Sequence, residues 1–246
     1  MTADDAIMSN LATPLAVTFD FGQTLASLDA SLASARLEER GLSVDPIAIE
    51  NALPFAWKAY NDAVHNGCGG HPWKILMRTL LECAAPTLGA RDVAQAVDFL
   101  WEQQPTKNLW RRPIPGMLEL VDDLRAAQIP VGVVSNSEGR LAELIEELSW
   151  SSRFDVVADS GKLGLEKPHR AIFDWTAKRL GVPVERIVHI GDSLAADVEG
   201  ALGAGMSAIW FDRAAKNPVH TRCRIAHDAP TTRSALESLG FVIPKR

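Results

Sequence analysis

The chain has 246 residues, of which 47% are hydrophobic, and its charges of both signs leave a net charge of -6. This composition is typical of an ordered globular protein, and the length allows one large domain or one domain with a sizeable insertion. Because there is no long basic block and no stretch reaches the ~18 apolar residues of a membrane span, we expect neither a nucleic-acid partner nor a membrane partner.

The cysteines predict a reducing environment. Cys68, Cys83 and Cys223 are odd in number and show no CxxC spacing, which argues against a disulfide framework and against a zinc site. The first residues of the chain also lack the charged and apolar regions of a secretory signal peptide. We therefore expect a cytoplasmic protein.

A buried strand is predicted near the start of the chain. The apolar, strand-favouring residues 15–19 end at Asp20, and Gly22, Gln23 and Thr24 then suit a tight turn. Residues 25–28 are expected to form a short exit loop. An Asp at the carboxyl end of a parallel strand lies where α/β sheets bind ligands, although many strands end in Asp for turn or capping reasons.

Residues 29–110 are predicted to form an all-helical insertion. Apolar residues recur there at helical spacing, and glycines and prolines separate the predicted helices, which span residues 31–40, 46–65, 73–85 and 91–103. No strand pattern is found in this segment.

A stiff hinge is predicted at residues 113–116, and helices then alternate with strands. The predicted helices span residues 117–128, 137–149, 168–181, 194–203 and 231–239, and the predicted strands span residues 130–135, 154–158, 186–190 and 206–211. This alternation predicts an α/β core with a parallel sheet covered by helices on both faces, formed by residues 1–28 and 111–246.

Polar residues follow the predicted core strands at the same edge of the sheet. They are Asp20, Ser135 with Asn136, Lys167, and Asp192 with Asp197 one helical turn further on. Each has an ordinary explanation on its own, as a turn, helix-entry or surface residue. Together they can form a phosphoryl-transfer site, in which a carboxylate is the nucleophile, hard oxygen ligands bind Mg²⁺, and a lysine and a hydroxyl hold the phosphoryl group.

These segments, in this order, resemble the motifs of the haloacid dehalogenase superfamily. Residues 20–25 resemble its nucleophile motif Asp-x-Asp-Gly-Thr-Leu, residues 133–136 its second motif, Lys167 with Pro168 its third, and residues 191–197 its fourth. The resemblance implies a Rossmann-like core with a four-helix type 1 cap at residues 29–110. It also implies Mg²⁺ as cofactor and Asp20 as nucleophile with Lys167 as its catalytic partner. The expected substrate ligands are Thr24, Ser135, Asn136 and Lys167, and the expected metal ligands are Asp20, the Gly22 carbonyl, Asp192 and Asp197.

The chain departs from this pattern at two positions. Phosphatases of the family usually carry a second Asp two residues after the nucleophile, which acts as general acid and base, and Gly22 stands there in this chain. Gln23 likewise replaces the usual Gly. Losing a positioned acid–base group typically costs ~10²–10⁴-fold in rate.

We therefore expect a Mg²⁺-dependent phosphohydrolase that acts on a small phosphometabolite through an aspartyl-phosphate intermediate, as a monomer or homodimer. Its substrates have good leaving groups, unless a residue of the cap supplies the missing acid. Candidates for that acid are Asp29, Asp62, His65 and His71. One alternative is an impaired family member that binds a phosphometabolite or a protein partner. Another is a metal-independent 2-haloacid dehalogenase, against which the Asp192/Asp197 pair argues.

Overall fold

The computed structural model of the protein describes residues 15–66 and 72–244. In these residues six strands form a fully parallel sheet in the order β5-β4-β1-β6-β7-β8. Their bounds are Ala16–Phe19 (β1), Val131–Ser135 (β4), Val156–Asp159 (β5), Ile187–Gly191 (β6), Ser207–Phe211 (β7) and Cys223–Ala226 (β8). The parallel sheet confirms the predicted α/β class.

The central strand β1 is buried on both faces of the sheet. It consists of Ala-Val-Thr-Phe, and all of its residues are buried. Val17 and Phe19 belong to one hydrophobic cluster, whereas Ala16 belongs to a second cluster. Because successive strand side chains point to opposite faces, these two clusters are the helix-covered layers above and below the sheet.

Helices of the core segment cover both faces. They are Met117–Ala126 (α5), Leu141–Glu147 (α6), Ser160–Leu163 (α7), Arg170–Leu180 (α8), Gly200–Ala204 (α9) and Ala229–Ser238 (α10). A π-helix, Leu194–Glu199, precedes α9, and 3₁₀ turns lie at Ser151–Arg153 and Val184–Arg186. No helix among the described residues combines the length and the apolar character needed to cross a bilayer.

The helices predicted within residues 29–110 form close to their predicted bounds. The described helices are Ala30–Glu38 (α1), Pro46–His65 (α2), Trp73–Ala84 (α3) and Ala90–Gln103 (α4). α2 begins at the predicted residue because the Asp45 side chain accepts a hydrogen bond from the Ile47 N–H and Pro46 takes the first helical position. The interior of this bundle joins the first hydrophobic cluster of the core.

The expected exit loop and the start of the expected hinge are instead strands. Ala26–Leu28 (β2) pairs antiparallel with Trp110–Pro113 (β3), in the register Ala26↔Pro113 and Ser27↔Arg112. These short segments have no alternating pattern that would reveal a strand, and each finds its partner only when the insertion brings its two ends together. The resulting two-stranded ribbon joins the helical segment to the core.

The helix predicted for residues 137–149 begins later, at Leu141. Ser137 was expected to open it, but the Ser137 hydroxyl donates to the Asp159 carboxylate, which also accepts from the N–H groups of Gly139 and Leu141. Asp159 thereby replaces the intrahelical bonds and holds residues 136–140 as a loop. The strand β8 and the short helix α7 were also missed, because each has only four residues.

The turn between β1 and β2 places Gln23 in the left-handed region, with φ of 57°. This is the position where the resembled family has Gly, which adopts that conformation without strain. The Gln23 side-chain amide nitrogen is also buried with no hydrogen-bond partner among the described residues. The turn therefore combines backbone strain with an unsatisfied donor.

We expect Gln23→Gly to raise the free energy of unfolding by about 1 kcal/mol, because it removes both the strain and the buried donor. Urea unfolding measures the change. The matched control is Gln128→Gly, because Gln128 has φ of 60° but an exposed side chain. If Gln23→Gly stabilises the protein no more than this control, the buried Gln23 amide does not lower the free energy of unfolding.

Candidate active site

The carboxyl ends of three adjacent strands form the floor of a cavity. Asp20 follows β1, Ser135 ends β4, and Asp192 follows β6, and all three line the cavity together with Lys167. The cavity encloses ≈ 630 Å³ of empty space, part of it open to solvent. Asp20 is more than a hundred positions away from the other three residues in the sequence. They meet because parallel strands end at the same edge of a sheet.

The Lys167 ammonium is the centre of this floor. Its Nζ donates to Asp20 Oδ1 at 2.5 Å, to Asp197 Oδ1 at 2.6 Å and to the Val134 carbonyl at 2.7 Å. An ammonium has three donors, and all three are thereby used. Burial alone would lower the pKa of Lys167, but the charges of Asp197 and Asp20 outweigh it and raise that pKa.

Asn136 fixes the backbone from which Lys167 projects. Its side-chain nitrogen donates to the Lys167 carbonyl at 2.9 Å, and its side-chain oxygen accepts from the Lys167 N–H at 2.8 Å. This reciprocal pair joins the loop after β4 to the segment before α8. The sequence suggested a substrate ligand at this position, and the structure uses both ends of the amide to position the lysine.

His189 is a site residue that the sequence analysis missed. It lies in β6 at 1% exposure, with Nδ1 2.9 Å from the Thr18 hydroxyl and Nε2 3.2 Å from Asp197 Oδ1. Burial lowers its pKa, so the neutral imidazole donates from Nε2 to Asp197 and accepts from Thr18 at Nδ1. The signal in the sequence was a lone His within an otherwise apolar strand.

The three aspartates of the floor differ in the direction in which their pKa values are shifted. Burial would raise the pKa of Asp197, but the Lys167 charge and the His189 hydrogen bond lower it to about 2. Burial raises the pKa of Asp20 to about 6, against the opposing charge of Lys167. Burial, followed by the charges of Asp197 and Asp20, raises the pKa of Asp192 well above its usual value. The floor thus holds three carboxylates against the one ammonium of Lys167, and a bound cation can supply further countercharge.

Close packing at Gly191 sets the position of Asp197. A Cβ at residue 191 would lie 2.2 Å from the Asp197 Cγ and 2.4 Å from its Oδ2. The same Oδ2 accepts from the Ser193 N–H at 2.9 Å. Only glycine lets the carboxylate approach the strand end this closely.

Thr24 and the proposed acids of the insertion lie away from the cavity. Thr24 is fully buried and is not among the described residues that line it. Asp29 caps α1 by accepting from the Leu32 N–H, Asp62 forms an exposed ion pair with Lys58, and His65 is exposed at the end of α2. His71 and Cys68 lie outside the described residues. Of the described candidates Asp29, Asp62 and His65, none lines the cavity that holds Asp20.

Glu138 is a second residue that the sequence analysis did not assign to the site. It lines the cavity from the loop after β4, and its side chain is hydrogen-bonded to Gln104 at the end of α4. Burial and then the nearby Asp159 charge raise the pKa of Glu138 to about 7. The sequence predicted only a first-turn helix acid, and Asp159 converts that helix turn into a loop that faces the cavity.

The upper wall of the cavity is aromatic. Trp57 and Tyr60 on α2, Trp73 on α3 and Trp110 on β3 line it. Their rings are in contact, with centroid distances of 5.1 Å for Trp57–Tyr60 and 6.5 Å for Trp73–Trp110. These aromatic residues therefore pack against one another and also line the cavity.

Residues 15–205 of the chain, which include the residues of this floor, match a known protein family. That family is described as haloacid dehalogenase-like hydrolase. The chain belongs to this family. Over 238 residues it is 25% identical to haloacid dehalogenase-like hydrolase domain-containing protein 3 of Mus musculus, a match that covers 93% of this chain and 92% of the relative. Over 207 residues it is 29% identical to glyceraldehyde 3-phosphate phosphatase of Methanopyrus kandleri, covering 80% and 84%.

A solved structure shows the same fold. The HAD-hydrolase YfnB from Bacillus subtilis, bound to magnesium, matches with a TM-score of 0.68 at 18% sequence identity. The match covers 94% of this chain and 100% of that chain. The chain is thus a hydrolase of the haloacid dehalogenase superfamily with a Rossmann-like core.

We expect Gly191→Ala to lower the free energy of unfolding by at least about 2 kcal/mol, because its Cβ forces Asp197 away from Lys167 and Ser193. Thermal or urea unfolding measures the loss. Gly203→Ala is the matched control, because a Cβ at residue 203 meets nothing within 4 Å. If both variants are equally stable, Asp197 can move without cost.

Glu138 makes stability fall as the pH rises. Its pKa in the folded protein is about 7, above the ordinary 4.5, so the folded state retains a proton that the unfolded state releases. The difference develops between these two values and is complete above the higher one. We expect Glu138→Gln to match the wild type near pH 4.5 and to exceed its stability by about 1–2 kcal/mol near pH 8.

Urea unfolding across this pH range tests the expectation for Glu138, since the other titrating groups are common to both proteins. Glu146→Gln, an exchange of an exposed residue on α6, is the control for the loss of one negative charge. Parallel profiles of the wild type and Glu138→Gln would contradict the expectation.

Proposed function

We propose that this hydrolase is a Mg²⁺-dependent phosphohydrolase that acts on a small phosphometabolite through an aspartyl phosphate on Asp20. One observation carries the proposal. The Asp20 carboxylate is buried at the floor of the cavity, is held by Lys167 at 2.5 Å, and lies in a cluster with Asp192 and Asp197. A fixed carboxylate beside a cation is suited to attack an anionic phosphoryl group.

The donor set fits Mg²⁺. One ligand atom of each of Asp20, Asp192 and Asp197 lies within 4.8 Å of the others, and carboxylate oxygens are the hard ligands that this ion prefers. Both oxygens of Asp197 already accept hydrogen bonds, from Lys167 and His189 at Oδ1 and from Ser193 at Oδ2. Asp20, Asp192 and the Gly22 carbonyl would therefore hold the ion, and Asp197 would support it. When bound, the ion neutralises charge on the transferring phosphoryl group.

The roles of the remaining residues follow from their positions. Lys167 fixes Asp20 Oδ1, so the second carboxylate oxygen is the proposed nucleophile. Ser135 lines the floor and can donate to a phosphoryl oxygen, while Asn136 keeps the Lys167 backbone in place. The segment 29–110 is the proposed cap, which closes the cavity and excludes water. The phosphatase name of the Methanopyrus kandleri relative agrees with a phosphate monoester as substrate.

The rival dehalogenase reaction is less well supported by this floor. A 2-haloacid carries a carboxylate, and the described cavity lining contains Asp20, Asp192, Asp197 and Glu138 but only one cation, Lys167. All three donors of that cation are already used. A cluster of carboxylates repels an anionic substrate unless a metal ion neutralises it.

We expect the protein to hydrolyse acetyl phosphate and 4-nitrophenyl phosphate only with Mg²⁺. Asp20→Asn should lower kcat by about 10³-fold or more, because it removes the nucleophile. Phosphate release measures the activity, and Asp174→Asn, on the surface of α8, is the control variant.

A second measurement detects Mg²⁺ binding independently of catalysis. Mg²⁺ should raise the melting temperature of the wild type, because a ligand that binds only the folded state stabilises it, and Asp192→Asn should weaken this effect. Halide release from a 2-haloacid in the presence of a chelator would support the dehalogenase instead. Mg²⁺ binding without hydrolysis of any phosphate would support an impaired family member that only binds its ligand.

A further inference from the structure

Trp110 occupies the space that a side chain at position 22 would use. An ideal Cβ built on Gly22 lies 3.4 Å from both Cδ1 and Nε1 of Trp110, and 3.9 Å from Asp20 Oδ2. The N–H edge of the indole therefore faces the position from which the family's second Asp would project. This chain has no side chain at the position of that acid, and an indole N–H lies in van der Waals contact with it.

The indole N–H of Trp110 is a buried hydrogen-bond donor. Trp110 is 7% exposed, and its Nε1 has no hydrogen-bond partner among the described residues. A buried donor without an acceptor typically costs about 1–3 kcal/mol of stability. A donor left in this state beside the proposed nucleophile indicates that a ligand accepts its hydrogen bond. The indole nitrogen is a donor only, and it does not release its proton in normal protein chemistry.

The other described residues of the segment 29–110 that line the cavity carry no charge, and they include the rings of Trp57, Tyr60 and Trp73 beside Leu76, Gln104 and Asn108. Trp57 and Trp73 line it, and their Nε1 atoms are further buried donors without a partner among the described residues. Lys167 is the only cation among the described lining residues, and it belongs to the floor. A leaving group with a second negative charge finds no countercharge here, whereas a flat aromatic group can pack against the rings.

We propose that Trp110 is a catalytic residue whose indole N–H donates a hydrogen bond to the departing oxygen of an aryl phosphate. The inference rests on the proposed function and names its substrate class. Asp20 attacks phosphorus, the bond from phosphorus to the aryl oxygen breaks, and its electron pair stays on that oxygen as a phenolate. Trp110 stabilises the phenolate without losing its proton, and the phenolate takes a proton from solvent after release. Water then attacks phosphorus, the Asp20 carboxylate is regenerated, and hydrogen phosphate and one proton leave.

A donor that keeps its proton restricts the substrate. Phenols have pKa values near about 10 and leave as anions, whereas an alkyl alcohol must be protonated as it leaves. The hydrolysis rate should therefore fall steeply as the pKa of the leaving alcohol rises. The upper wall supplies no general acid, and aromatic leaving groups that depart as phenolates do not need one.

The experiment compares kcat/KM of the wild type and Trp110→Phe on phenyl phosphate, acetyl phosphate and glycerol 3-phosphate with Mg²⁺. Trp110→Phe keeps an aromatic ring but removes the donor, so kcat/KM on phenyl phosphate should fall about 10–100-fold. On acetyl phosphate, whose leaving group needs less stabilisation, it should fall less than about threefold. Glycerol 3-phosphate should be a poor substrate for both proteins.

Two further variants separate this effect from a change in packing. Trp101→Phe alters a ring that packs on Trp73 at 5.2 Å but is not among the described lining residues, and it should leave phenyl phosphate hydrolysis unchanged. Gly22→Ala keeps the indole and places a methyl 3.4 Å from its Nε1, so it should reduce phenyl phosphate hydrolysis in the same direction as Trp110→Phe. An equal loss on acetyl phosphate and phenyl phosphate would overturn the proposal.

A binding experiment that does not depend on hydrolysis tests the contact between Trp110 and the ligand directly. Titration of phenyl phosphate into the Asp20→Asn protein should shift the Trp110 indole N–H resonance, which the Trp110→Phe spectrum assigns among the seven tryptophans. An unmoved resonance in a protein that binds phenyl phosphate would overturn the role of Trp110. A preference for phosphocholine over phenyl phosphate would overturn the aryl class, because it would indicate a cage for a cation. If no phosphate is hydrolysed, the proposed function fails, and the titration still decides whether Trp110 contacts the ligand.

Discussion

The buried ammonium of Lys167 links the elements that form the candidate active site. It joins Asp20 at the end of β1 to Asp197 in the π-helix and to the Val134 carbonyl in β4, while Asn136 fixes its backbone. A cation that pairs with two buried carboxylates at once offsets their mutual repulsion, and removing Lys167 would leave both of these buried charges without it. The geometry of Asp20, the proposed nucleophile, therefore depends on residues from three different elements.

The cavity above this ammonium has two chemically distinct parts. Its floor is strongly acidic and suits a metal ion and a phosphoryl group, whereas its upper wall presents tryptophan rings and neutral indole donors. The two parts meet at Gly22, where the loss of a side chain leaves room for the edge of Trp110. The departure from the family motif and the aromatic wall thus lie next to each other, and on this ground we propose a substrate whose leaving group needs no proton.

Sequence patterns predicted most of the architecture and failed where a distant side chain changed a local preference. The helix bounds Pro46–His65 were predicted fully, because Asp45 and Pro46 are adjacent signals that act locally. The loop at residues 136–140 was predicted as a helix, because Asp159, twenty-two residues beyond Ser137, supplies the bonds that hold it open. The ribbon of β2 and β3 was missed for a similar reason, since its partners are separated by the whole helical insertion.

The sequence by itself determined the α/β class, the helical insertion, the family and the order of Asp20, Ser135, Lys167, Asp192 and Asp197, because periodicity and motif order are local properties. It also revealed the missing acid at Gly22. Only the tertiary structure decided that His189 and Glu138 join the site, that Asp29, Asp62 and His65 do not line its cavity, and that the indole edge of Trp110 lies beside Gly22. These contacts join residues that are far apart in the chain, and packing, which no local pattern encodes, brings them together.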